Sequence, residues 1–352
     1  MRKIKIFIQL VSSKISRFSP QCRLYGFNAA FWSLLFPLYR LFGPFKPCFA
    51  INKHRAILKY LGKRYSGVVK KFENINKMEK SNTEKSNIEP KSAIWVSWWD
   101  GEEVMPPLVR ACYNSMKNHA GTHPVRLITK DNYNDYISIP DYIMDRVNAG
   151  NMKLTHFSNI LRANLLFEYG GIWLDATILV LKVISPENLP FYTLKAPAKK
   201  SVSVTLARFA GVQNKSAKLH KQINPQISRW SGFLLAGTKG SLIFEYMRDI
   251  LYAYWKDHTD QIDYLLFDYT IAFGYENIPV IKELIDAVPC SNAEKFELEN
   301  DLNSEYSAER FSQYYSALTF HKLSWKKEFK KHTQDGLPTF YDHILNNFSN
   351  PK

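Results

Sequence analysis

The sequence predicts an α/β fold, a domain on a mixed, mostly parallel sheet, preceded by a helical N-terminal extension. Three observations carry this expectation. Short β-branched and aromatic runs alternate with longer stretches of helical periodicity, the pattern that builds parallel sheets through crossover helices. A double glycine, Gly170-Gly171, separates an apolar helical stretch from an apolar strand. The excess charge is confined to one end of the chain.

With 352 residues, 45% apolar and 22% charged, the chain can bury one large core or two modest ones. The net charge of +15 comes from residues 1–92, which hold 19 Lys/Arg against four acids; the remainder carries 28 of each sign. Residues 1–72 therefore form a basic, aromatic helical extension, running from "MRKIKIFIQLVSSKISRF" through "LYGFNAAFWSLLFPLYRLFGPF". Its uncharged window between Arg23 and Arg40 is 16 residues long and contains Pro37, short of the roughly 20 residues that span a bilayer. No small-residue cleavage site follows it. Basic residues flanking Phe, Trp and Leu suit a segment lying on an anionic membrane surface; the alternative is a helical pair packed on the domain. Nucleic acid is set aside as a partner, because no recognition motif accompanies the charge. Cys22, Cys48, Cys112 and Cys290 are far apart, with no metal-ligand spacing, which suits a reducing, cytoplasmic setting.

Residues 73–92, "ENINKMEKSNTEKSNIEPKS", read as a polar linker. The domain then occupies 93–330, and 331–352 form a C-terminal tail. Within the domain, "AIWVSWW" (93–99) is a buried strand, and "DGEEVMPPLVRACYNSMKNHA" a helix with Val109, Cys112 and Met116 on one face. "HPVRLITKDNY" supplies the second strand. A helix over about 156–169 stops at the glycines, and a strand covers 172–181. "SVSVTLARF" and "RWSGFLLAG" are further strands, and "SLIFEYMRDILYAYWKDH" is a long helix.

The stretch "HFSNILRANLLFEYGGIWLDATILV" (156–180) carries the chemistry. Its helix is apolar nearly all round, which marks it as buried, yet Asn159 and Arg162 share a face with Ser158 and Tyr169. A buried guanidinium needs an anionic partner: a structural ion pair with Glu168 or an aspartate elsewhere, or a bound phosphate. Asp175 stands among strand-formers and needs a cation or several donors. A metal-bound diphosphate would satisfy both residues; a plain structural role, ion pair or backbone cap, would satisfy each singly.

"SNILRANLLFEYGGIWLDAT" resembles the signature of the glycosyltransferase family 32 group, and more closely that of its bacterial capsular polysaccharide synthesis proteins. "IWVSWWDGEEVMPPLVRACYNSMKNH", "ITKDNYNDYISIPDYI", "WSGFLLAG", "AYWKDH" and "DYLLFDYTIAFGY" resemble further blocks of that family in order, so that the likeness extends from about Ile94 to Trp325. It implies a GT-A-type, Rossmann-like nucleotide-sugar-binding domain that transfers a sugar, usually with retention and with Mn2+ or Mg2+. Asp175 matches the first carboxylate of an Asp-x-Asp that holds metal and donor. Arg162 matches the arginine at the donor sugar or diphosphate. Asn159, Gly170 and Gly171 belong to the same donor-binding signature. Trp95, Trp98 and Trp99 fall on the strand that binds the nucleobase. "HKLSW" (321–325) matches the closing element, with His321 at metal or diphosphate and Lys322, Ser324 and Trp325 beside the donor. Asp268 is a donor or acceptor contact, or else a helix N-cap. Two positions depart from the pattern. Thr177 stands where the second carboxylate would complete the metal set of Asp175, Thr177 and His321, and a hydroxyl is a weaker ligand. Asn159 stands where an aspartate precedes the arginine.

The resemblance implies a hexosyltransferase on the inner face of the cell membrane. It would build a capsular polysaccharide, exopolysaccharide or O-antigen from a UDP- or GDP-sugar and a polyprenyl-diphosphate-linked glycan. The alternative is a non-catalytic nucleotide-sugar or glycan-binding scaffold of the same machinery.

Overall fold

The computed structural model describes residues 2–35, 46–73, 88–89, 91–185, 189–195, 230–289 and 295–350. The central sheet holds five strands: β1 (Ile94–Ser97), β2 (Val125–Ile128), β3 (Gly171–Leu174), β5 (Phe191–Thr193) and β6 (Leu234–Gly237). Their order is β2-β1-β3-β6-β5. β1 pairs in parallel with both β2 and β3, whereas β6 runs antiparallel to β3 and to β5. Four strands thus share one direction and β6 opposes them, the mixed, mostly parallel arrangement expected. Side chains alternate across this sheet. Trp95, Trp173 and Leu235 enter one apolar cluster, and Ile94, Val96, Ile172, Leu174 and Leu234 enter another on the opposite face. Both faces are covered, which is why the strands read as continuous apolar runs.

The expected strand over 172–181 is two strands. β3 ends at Leu174; Asp175, Ala176 and Thr177 form a turn closed by Ile178 N–H donating to the Asp175 carbonyl (3.0 Å). β4 (Ile178–Val180) then leaves the main sheet and pairs antiparallel with β7 (Phe320–Lys322). β3 and β4 are equally apolar, and the three residues between them are short enough to read as part of one continuous strand. The expected strand "SVSVTLARF" lies outside the described residues.

Helices cover the sheet. α1 (Arg2–Tyr25), α2 (Phe27–Leu35) and α3 (Lys46–Glu73) precede it; α4 (Pro107–Asn118), α5 (Asp141–Asn148) and α6 (Leu154–Tyr169) follow β1, β2 and α5 in turn. α7 (Leu242–Asp257), α8 (Leu266–Asn277) and α9 (Pro279–Ala287) follow β6. α6 buries ten of its residues and ends where Gly170 (φ 65°) donates its N–H to the Leu166 carbonyl. Gly171 (φ 95°) packs so closely that an added Cβ would lie 2.3 Å from the Ala93 carbonyl oxygen. The double glycine is thus demanded by backbone geometry, with no room for a side chain.

α3 is part of the main core: Ile57, Leu61, Val69 and Phe72 join the same cluster as α7 and α8. Most of the linker 73–92 lies outside the described residues, but Ile88 is buried in the opposite cluster. α10 (Glu297–Asp301), α11 (Ala308–Ala317) and α12 (Phe340–Asn347) complete the chain. Phe340, Ile344 and Phe348, from the segment expected as a tail, form a third cluster with Leu108, Cys112 and Leu179. Asn114 of α4 donates to the Phe348 and Ser349 carbonyls (3.0 and 2.9 Å).

Candidate active site

Breaking the strand after Leu174 puts Asp175 at the carboxyl end of β3, on the floor of a cavity of about 530 Å³. Ligands of open α/β sheets lie beyond strand ends of this kind. The carboxylate is 31% exposed and accepts three hydrogen bonds. Oδ1 accepts from Arg162 Nη2 (2.9 Å) and Trp173 Nε1 (3.0 Å); Oδ2 accepts from Lys322 Nζ (3.3 Å). Burial would raise its pKa, but Lys322, Arg162 and the Trp173 hydrogen bond outweigh burial and hold it below the usual carboxylate range.

Arg162 lies beneath that carboxylate, with 6% of its side chain exposed. Nη1 donates to the Gly232 carbonyl, and the guanidinium packs 5.0 Å from the Trp173 ring centroid and 4.8 Å from that of Phe267. Burial lowers its pKa, opposed by the charges of Asp175 and Asp268. The ion pair and the site are therefore one object. Arg162 is held by Asp175, not by Glu168, which is exposed and lies near Arg248.

Lys322 enters from β7. Its ammonium donates to Thr177 Oγ1 as well as to Asp175, and lies 5.4 Å from the centroid of the Phe233 ring. Because side chains alternate along a strand, His321 faces the other way. It is fully buried, edge-on to Tyr314 (5.9 Å), and burial lowers its pKa to about 4.

Aromatic rings wall the cavity. Trp98 meets Trp325 edge-on (5.7 Å), and Trp99 is pinned by Phe157 (5.0 Å) and Tyr133 (5.5 Å). Ser324, Ser158, Asp100 and Lys326 add polar groups to the lining, and the exposed Tyr264 stands at its rim.

A family model described as "Capsular polysaccharide synthesis protein" matches residues 44–344, most of the chain. The chain belongs to the capsular polysaccharide synthesis protein family. The match is wider than the Ile94–Trp325 span expected, and the difference is structural: it takes in α3 and most of α12, whose side chains complete the cores around the sheet. No curated protein matches the chain. Among solved structures it is similar to the apo structure of WbbM, a bifunctional glycosyltransferase, at 11% identity and a TM-score of 0.36. That alignment covers 74% of this chain and 50% of the other, so the chain spans about half the length of WbbM.

Of the residues expected at the site, the chain gathers Trp98, Trp99, Asp175, Thr177, Lys322, Ser324 and Trp325 around the cavity, with Arg162 directly below. The others lie apart. Trp95 is buried off the lining, on the same sheet face as Trp173, donating to the Gly170 carbonyl (2.9 Å) between Tyr136 and Tyr169. Asn159 is buried and off the lining, and Gly170 and Gly171 serve the helix-to-strand turn. Asp268 accepts from Trp230 Nε1 (3.3 Å) and is not the N-cap of α8, a position taken by Leu265. His321 is turned from Asp175, so the expected metal set is not assembled. Trp173 was missed, although it stands two residues before Asp175, and its indole N–H reaches that carboxylate (3.0 Å) from the end of β3. Asp100, Tyr264 and Lys326 come from loops, and nothing local in sequence marks them.

Proposed function

We propose that this protein is a glycosyltransferase that moves a sugar from a UDP- or GDP-linked donor to a polyprenyl-diphosphate-linked glycan during assembly of a surface polysaccharide. One observation carries the reading: two cations share one carboxylate at the end of β3, under an aromatic wall. Arg162 and Lys322 against Asp175 leave one positive charge in surplus where a diphosphate would lie. Trp98 or Trp325 supplies a face for the base or a sugar ring. Such a GT-A-type site would sit near the membrane through the basic N-terminal residues.

In the proposed reaction the bond between the sugar C1 and the diphosphate oxygen breaks, and its electron pair leaves with the diphosphate. The acceptor hydroxyl bonds to C1 on the same face and passes its proton to the departing oxygen, so configuration is retained without an enzymic nucleophile. Lys322 meets the charge that develops on the diphosphate, the role of preorganised donors in transition-state stabilisation. Arg162 does not touch the donor; it is a positioning residue that holds Asp175 and, through it, Lys322. Mn2+ or Mg2+ was the expected cofactor, and its expected ligand set of Asp175, Thr177 and His321 is not brought together, because His321 faces away from Asp175. Among the described residues no group of three or more His, Cys, Asp or Glu could hold a metal. The Lys322 ammonium already bridges Asp175 and Thr177, where such an ion would bind. The chemistry is therefore assigned to the chain's own cations.

The test is release of nucleoside diphosphate from a panel of UDP- and GDP-sugars by the purified full-length protein, with Mn2+ or with EDTA. One donor should be hydrolysed slowly in both conditions, and Asp175→Asn should abolish it. Donor binding without turnover on any member of the panel would instead favour a nucleotide-sugar-binding scaffold. Turnover only with Mn2+ would return the metal to the mechanism.

A further inference from the structure

A second cavity, of about 600 Å³, lies between the α1–α2 corner and α3, remote in sequence from the sheet-end site. Gly26 (φ 81°) makes the corner, where Gly26 N–H donates to the Cys22 carbonyl (3.0 Å). The floor is neutral and hydrogen-bonded. Tyr60 Oη meets His258 Nε2 (2.6 Å), and burial lowers the pKa of His258. Tyr25 donates to the Asp260 carbonyl (2.6 Å).

Around this floor stand Arg23, Lys59, Lys63 and Arg64, all exposed. Arg64 is taken by Asp257 (2.9 Å). Arg23, Lys59 and Lys63 make no ion pair among the described residues. Lys59 and Lys63 lie one turn apart on α3, and like charges at that spacing repel. The first 72 residues carry no acid at all. A gathering of cations that the fold leaves unneutralised is complementary to an anion from outside.

The rim identifies the kind of anion. Leu24 and Phe27 line the same cavity and are 43% and 65% exposed. Phe27 stacks on Phe31 (5.6 Å) and meets Phe18 edge-on (6.0 Å), forming an aromatic ridge beside the cations. A soluble phosphate has no use for exposed rings. A bilayer has both parts: a phosphate plane for the cations and, a few ångströms deeper, an apolar region for the rings.

We infer that this basin is a headgroup site for an anionic phospholipid, with Lys59, Lys63 and Arg23 on the phosphate and Phe27 and Leu24 entering the interface. The inference deepens the membrane placement proposed above by assigning it to specific residues, and it does not depend on the sugar chemistry. The experiment is flotation of the full-length protein with phosphatidylcholine vesicles, with and without phosphatidylglycerol. Wild type should bind only the anionic vesicles. Lys59→Gln with Lys63→Gln should weaken that binding by about tenfold or more, since each basic residue near such a surface contributes appreciably, while leaving the unfolding midpoint unchanged. Lys3→Gln with Lys5→Gln, at the other end of α1, removes the same charge and should weaken it less. Equal losses from both pairs would mean general attraction to the surface: the membrane placement would stand and the basin assignment would fall. Absence of vesicle binding by wild type would overturn both. Stabilisation by inorganic phosphate without vesicle binding would assign the basin to a soluble anion and overturn the lipid reading.

Discussion

The sheet-end cavity and the N-terminal basin both present cations to an anion, yet they are built in opposite ways. In the cavity Arg162 is almost fully buried, Lys322 is mostly so, and each is fixed by hydrogen bonds to a shared carboxylate. In the basin the cations are exposed and, apart from Arg64, make no ion pair among the described residues. The first arrangement orients a ligand, because rigid donors cost little to reorganise at the moment of reaction. The second attracts a surface, whose charges have no fixed position to match. On the readings proposed above, chemistry belongs with the first and docking with the second.

The largest expected effect separates the two by stability. Asp175→Ala removes the partner of a buried guanidinium, and breaking a buried pair by deleting one member costs about 3–5 kcal/mol. Lys59→Ala or Lys63→Ala removes an exposed charge with a like-charged neighbour and should stay within about 0.5 kcal/mol of wild type. Urea unfolding measures both. If Asp175→Ala unfolds at the wild-type midpoint, the carboxylate does not anchor Arg162 and the cavity is no more organised than the basin.

Acid sharpens the contrast. His321 is buried and neutral, with a folded pKa of about 4 against an ordinary value near 6.5. Between those values the unfolded chain binds a proton that the folded chain excludes, so stability falls as the pH drops through that window. From pH 7.5 to 4.5 the loss should be about 2–3 kcal/mol from this group. His321→Phe should remove most of that slope. Asp175 adds its own dependence at lower pH: its depressed pKa stabilises the fold above the unfolded value and is lost as pH falls further. A pH slope unaffected by His321→Phe would place the proton elsewhere.

How much of this was legible in the sequence follows the same division. Helix α6 could be read, because its apolar residues run all round and its end is marked by glycines. The basin's charge could be read from the absence of Asp and Glu before Glu73. Lys322, Ser324 and Trp325 were reached through the resemblance, and so was Asp175. What could not be read was direction. "HKLSW" names His321 and Lys322 together, but only the antiparallel pairing of β7 with β4 sends the ammonium to Asp175 and the imidazole to Tyr314. Apolar periodicity likewise could not show that a strand stops at Leu174, since β4 is as apolar as β3. The break is a tertiary fact, set by which strand each half pairs with.

Lys322→Gln tests the boundary between the two designs with a smaller effect. Glutamine keeps an N–H donor but is one bond shorter and uncharged, so it no longer bridges Thr177 and Asp175. The protein should fold as wild type within about 1 kcal/mol, while nucleoside diphosphate binding in EDTA should weaken by about 10- to 100-fold, as expected for losing a charge-assisted contact. The residual binding should become less sensitive to salt, because the displaced charge was exposed to the ligand and screened by ions. Calorimetry with UDP and GDP reads all three quantities. Asp175 is then left with Arg162 as its one cation, beside the Trp173 N–H, and the place between Asp175 and Thr177 is open to a divalent ion. Mn2+ should therefore restore binding to Lys322→Gln while having little influence on wild type. Rescue of that kind would mean that the lysine stands in a cation's place; wild type that binds nucleotide only with Mn2+ would mean that Lys322 swings aside, and the cavity would share more of the basin's looseness than its hydrogen bonds indicate.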